Sequence, residues 1–309
     1  MSKKIKALKV IRKPILPSGV EAGQASSGPK EVLISETEYH PVWEKVILEK
    51  QYAADGTLEQ ETEYEYDQNG FLVREILREG DGTVMEEKSF EPDEEQRVAR
   101  EFLHYADGSK DTVTCRYDAE GRLVEKRSED EDGDLEQLEV FEYRNGLMTR
   151  NAVYDEEPAG EGEEEPAEEI RYTYDHSGKM LEEEVFNHTD GVFRHKVHVY
   201  NDNGHRIAVK VYDEEEELIE RVLMEPDEEG RPVRMVEENR KKKNTLNLRY
   251  NNKGNIVYQE EYDLKGNLLN TVSRVYDEKG RLLSSEVDIR TPIQGPPRRY
   301  VVEHRYSFY

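Results

Sequence analysis

The sequence predicts an all-β protein, a long antiparallel up-and-down meander of about twenty short strands, twisted or coiled or folded into two packed layers. Two observations predict it. Turn signals return every ten to fifteen residues or so, and the segments between them run about seven residues, too short for ordinary helices. Within those segments apolar and polar residues alternate: Thr62, Tyr64 and Tyr66 interleave with Glu61, Glu63 and Glu65. Such alternation puts the two sets on opposite faces of a strand.

Taken in order, residues 1–29 form a basic arm and linker. Lys4, Ile5, Lys6, Leu8, Lys9, Ile11, Arg12 and Lys13 offer an apolar stripe between cations, and PSGVEAGQASSGPK follows with the composition of a flexible tether. Ile5, Leu8 and Ile11 suit one face of a short helix that Pro14 stops. These residues are the expected partner-binding element. From residue 30 to 309 the chain reads as one continuous β array. FEPDEEQRV and MEPDEEGRPV are sibling turns of a longer type. The acidic block at 155–168 has Pro, Gly and dense Glu without apolar period, which predicts a disordered loop. A last strand places Tyr300, Val302, His304 and Tyr306 on one face, at a sheet edge or folded back to cover one.

The turn itself has a mechanism. In CRYDAEGRLVEKRS a strand ends on Tyr117, Asp118 opens the turn and accepts backbone hydrogen bonds, and Gly121 takes a positive φ. The same structural residues recur as Tyr66, Asp67 and Gly70, then Tyr174, Asp175 and Gly178, Tyr262, Asp263 and Gly266, and Tyr276, Asp277 and Gly280. RYDAEGRL and VYDEKGRL carry the pattern most fully, and at these residues the chain resembles the RHS, or tyrosine-aspartate (YD), repeat family. That resemblance covers roughly residues 50 to 288. It implies a sheet that spirals, in several relatives as a shell around a toxic polypeptide and in others as an adhesion module. The self-cleaving Asp-Pro element of some relatives has no match here, because the sequence holds no Asp-Pro pair.

Composition narrows the function. Charged residues make up 37% of the 309 and the net charge is −26, which argues against nucleic acid and against an anionic membrane surface. Residues 1–30 carry seven basic side chains against Glu21, so +6 sits on the arm and −32 on the rest. Cys115 is the single cysteine and reads as a small buried hydrophobe, with no disulfide and no cysteine zinc site. No apolar run is long enough to span a membrane and no classical signal peptide opens the chain, so the expected location is cytoplasmic, with non-classical export as the alternative.

Catalytic and cofactor signals are weak. His195 and His198 alternate across a strand and cannot share a metal, and Asp130 to Asp134 lacks the ligand spacing of a calcium loop. No catalytic residue, cofactor or metal is expected. The basic turn 239–244 reads as a sheet guard. A wide closed barrel with an apolar interior is physically unreasonable, so the sheet is expected to flatten, spiral or hold another polypeptide. Tyrosines at equivalent positions are expected to stack and pin the register. The sequence thus points to a non-enzymatic scaffold for a protein partner, as a wrapper, chaperone or adaptor for a toxin or secreted effector of the bacterial kind. Recognition of a carbohydrate or surface ligand is the alternative.

Overall fold

The computed structural model describes residues 3–15, 31–156, 165–290 and 298–309. All the regular structure among them is strand. In chain order the strands are β1 (Ile5–Pro14), β2 (Val32–Tyr39), β3 (Val46–Tyr52), β4 (Leu58–Tyr66), β5 (Leu72–Glu79), β6 (Val84–Pro92), β7 (Val98–His104), β8 (Lys110–Tyr117), β9 (Leu123–Glu129), β10 (Leu135–Arg144) and β11 (Leu147–Tyr154). There follow β12 (Glu168–Tyr174), β13 (Met180–Asn187), β14 (Val192–Tyr200), β15 (Arg206–Tyr212), β16 (Leu218–Pro226), β17 (Pro232–Asn239), β18 (Lys243–Tyr250), β19 (Ile256–Tyr262), β20 (Leu268–Tyr276), β21 (Leu282–Ile289) and β22 (Arg298–Phe308). They form one 22-stranded sheet.

By packing, the chain divides into two compact units. Unit 1 comprises Met1–Met85, Pro232–Met235 and Lys242–Tyr309, and unit 2 comprises Glu86–Arg231 and Val236–Lys241. In unit 1, β1 pairs antiparallel with β2 on one side and with β22 on the other. The first strand thereby joins the last, and neither is left as a free edge of the sheet. This corrects the expectation of an open meander. The objection to closure assumed an apolar face, whereas the tyrosine-bearing face interleaves Glu49, Glu139, Glu183 and Lys196 with its apolar residues.

The basic arm is the second correction. Ile5–Pro14 is neither helix nor free tail but the closing strand, with Ile11 only 6% exposed. Its alternation of Ala, Val and Ile with Lys suits a pleated strand as well as a helix, and two flanking ladders decide the matter. The C-terminal strand likewise lies between β21 and β1, with no edge to cover. The linker at 16–30 and most of the acidic loop fall outside the described residues. At the loop's end Glu168 already belongs to β12.

Apolar burial is sparse. Among the described residues only Ile11, Ile76, Phe102, Leu138, Ala152, Ala208, Val236 and Leu248 form the buried hydrophobic set. Within each unit the strands pack against ladder neighbours, and most strand residues stay half-buried on both faces. Ladder hydrogen bonds and turn contacts therefore carry much of the cohesion that a packed core supplies elsewhere.

Candidate interaction surface

The repeat residues build an interlocked end to the sheet. At β8–β9 the Gly121 N–H donates to the Asp118 carbonyl (3.0 Å), and Asp118 N–H donates to the Arg122 carbonyl (2.9 Å). Asp118 Oδ1 accepts from the backbone N–H groups of Glu120 and Arg122. Gly121 sits at φ 82°, and Gly70, Gly178, Gly266 and Gly280 lie between 79° and 84°. Across the turn Tyr117 pairs with Leu123 and Arg116 with Glu125, so Val124 is an extra, bulged residue.

The arginine before leucine links one repeat to the next. Arg122 Nε donates to Asp118 Oδ2 at 2.6 Å, and its guanidinium lies 4.8 Å from the Tyr143 ring centre. Arg97 does the same with Asp93 (2.7 Å) and Tyr117 (4.2 Å), and Arg281 with Asp277 (2.6 Å) and Tyr306 (5.3 Å). Each tyrosine hydroxyl then donates to the carbonyl at the start of the preceding strand: Tyr117 to Val98 (2.9 Å), Tyr143 to Leu123 (2.9 Å), Tyr200 to Met180 (2.8 Å) and Tyr276 to Ile256 (3.1 Å). The tyrosines do pin the register, but through their hydroxyls and a cation on the ring rather than by stacking on one another. Tyr262 departs from this pattern, with its hydroxyl on Glu260 (3.1 Å).

The expected partner-binding residues are engaged by the protein itself. Lys9 reaches Glu36 (2.9 Å), Lys13 reaches Glu303 (2.7 Å) and Glu31 (3.5 Å), and Lys4 donates to the Val42 carbonyl (2.8 Å). The hydrogen bond from Lys9 to Glu36 raises its pKa, and Glu303 does the same for Lys13. Leu8 lies between Thr37 and Tyr306, Arg12 between Val32 and Val302, and Ile5 opposite Phe308, while Lys6 is exposed. The arm's charge split from the body is satisfied within the sheet. In the basic turn, Arg240 meets Glu217 (2.6 Å) and Asp213 (3.4 Å).

One buried group escaped the sequence reading. Glu169 is 2% exposed and bridges Arg150 and Arg171. Burial works against its charge, but those two guanidiniums hold its carboxyl below the usual carboxylate range. Its position among other glutamates hid the signal. Cys115 is half-buried, and desolvation pushes its thiol up. Among the described residues no group of His, Cys, Asp and Glu is arranged to hold a metal ion, and no helix is long and apolar enough to cross a membrane.

What stays available is sheet face. Paired residues of an antiparallel ladder share a face, and following the pairs through unit 2 puts Val113, Val153, Ile170, Val185 and Val211 on the face of Tyr117 and Tyr172. All are half-buried, and among the described residues no element of unit 2 packs over them.

No family model matches the chain, and no curated protein does. Among solved structures it is similar to TcdB2-TccC3-TEV, with 10% identity, 85% of this chain and 18% of that chain covered, and a TM-score of 0.36. It is also similar to a porin-like protein from Bacteroides uniformis ATCC 8492, with 9% identity, 98% of both chains covered and a TM-score of 0.31. The chain thus spans under a fifth of the first of these. At such scores neither neighbour's fold nor its role transfers to this protein.

Proposed function

We propose that this protein is a non-enzymatic, cytoplasmic scaffold that engages a protein partner across the uncovered face of its sheet. The observation that carries the reading is a set of half-buried apolar residues on one face of unit 2, Ile170 beside Val185 among them, over which no described element packs. A sheet face of that composition gains free energy when another polypeptide covers it. The tyrosine-aspartate repeat resemblance supports a wrapper, chaperone or adaptor role for a toxin or secreted effector. The carbohydrate alternative has less to stand on, because the repeat tyrosines that would stack on a sugar are half-buried and their hydroxyls already donate to backbone carbonyls.

The test is affinity capture from the native host with the full chain and with Val185→Lys as baits. Proteins retained by the parent and lost by the variant are the expected result. Equal recovery by both baits, or a glycan-array signal that survives the substitution, overturns the reading.

A further inference from the structure

We infer that the partner is a cationic polypeptide, and that it docks on the uncovered face of unit 2 at the end where its acidic turns lie. The inference rests on the scaffold reading above and specifies the chemistry of the occupant.

Charge is divided unevenly between the two units. Unit 2 holds 47 acidic and 20 basic residues, a net −27, whereas unit 1 holds 23 and 24, a net +1. Within unit 2 the excess is local. Alternate hairpins of an antiparallel sheet lie at the same end. The turns leading into β8, β10, β12, β14 and β16 therefore share one end of the unit. Their described residues, 105–109, 130–134, 155–156 with 165–167, 188–191 and 213–217, contain fourteen carboxylates and no lysine or arginine. At the opposite end, Arg97, Arg122 and Arg231 lie against the turn aspartates.

The apolar residues of that face reach this acidic end, where Glu139 and Glu168 flank Val153 and Arg194 flanks Val185. Val113 lies in the first half of β8, Val153 near the end of β11, Ile170 early in β12 and Val185 near the end of β13. A concavity of about 490 Å³ joins the two features, with Val153 beside Glu139, Asp155, Glu168 and Asp190 in its lining. A lysine or arginine side chain suits that combination, since its stem packs on apolar surface while its head meets carboxylates. A second copy of the chain does not, because two acidic ends repel and unit 1 offers only a net +1.

The probe is a fluorescein-labelled peptide of alternating lysine and valine, titrated against the full chain by anisotropy at about 0.15 M salt. Two variants separate the contributions: Glu131→Gln with Asp190→Asn, Glu214→Gln and Glu215→Gln, all at exposed turn positions, and Val153→Thr with Val185→Thr on the face. Circular dichroism confirms that each keeps the parent fold. Each variant should bind about tenfold more weakly, and a lysine–serine peptide should bind the parent about tenfold more weakly than the lysine–valine one. Equal binding of the lysine–serine peptide, or unchanged affinity in either variant, overturns the inference. A glutamate–valine peptide that binds as tightly and is lost with the valine substitutions removes the cationic partner but leaves the scaffold. Failure of the parent to bind any of the three peptides removes the proposed face as well.

Discussion

A repeat of five residue types works here as one device, and its parts can be separated. Gly121 is needed twice, for φ 82° and because Arg97 Nη1 lies 3.1 Å from where a Cβ would stand. Gly121→Val should therefore lower stability by about 1–2 kcal/mol, measured by urea unfolding, with exposed Glu120→Gln as the near-neutral control. Tyr117→Phe removes only the hydroxyl bond to Val98 and should cost about 1 kcal/mol, while leaving Arg97 over the ring. If Tyr117→Phe matches the parent, the hydroxyl tie is incidental and the cation over the ring holds the repeat. The sequence displayed the tyrosine, aspartate, glycine and arginine, and it located the turns. It could not show that arginine and tyrosine join successive repeats, since that contact crosses about twenty residues and depends on register.

At the scale of strands and turns, the aspartates set the acid limit. Asp175 is held below the ordinary carboxylate range first by the Lys179 N–H, Asp227 first by the Arg231 side chain, and Asp277 first by the Arg281 N–H. A carboxyl depressed in the fold contributes stability above its unfolded pKa of about 3.9, and that contribution is lost as pH falls through the folded value. His198 and His304 act earlier. Burial lowers both pKa values, and His198 leaves both ring nitrogens buried without a partner. Their neutral forms favour the fold above the unfolded value of about 6.5, and that advantage declines as pH falls further. Thermal unfolding followed from pH 8 downward should therefore show a first loss below about 6.5, absent in His198→Gln with His304→Gln, and a steeper one below about 4. A single acid transition unchanged by the histidine substitutions contradicts this. Close backbone approach gives a separate check: a Cβ on Gly80 would stand 1.8 Å from the Leu58 carbonyl oxygen. Gly80→Ala should accordingly displace the β5–β6 turn and increase amide exchange at residue 80, whose N–H donates to the Glu59 carbonyl at 2.8 Å.

For the whole molecule, the turn spacing and alternation announced the strands, but closure was not legible, because it depends on which strand meets the last one. The first fourteen residues looked like a tail when read alone: cations, a closing proline and a linker behind them. Against β2 and β22 the same residues supply hydrogen bonds on both sides, and Lys9 and Lys13 find Glu36 and Glu303. A chain beginning at Glu31 is therefore more than a chain without its arm. It leaves unpaired the edges of β2 and β22 that face β1, while β3 and β21 still pair with their other edges, and exposed edges of that kind recruit other chains. Such a chain should unfold at a lower temperature than the parent and form soluble oligomers or aggregates, with light scattering that rises with concentration. Adding a synthetic peptide of residues 1–15 should suppress the scattering, whereas a peptide with proline in place of Leu8 and Val10, which lacks those N–H donors, should not. If the chain starting at Glu31 is as stable and monomeric as the parent, β1 is dispensable to the sheet and its lysines are free to serve a partner.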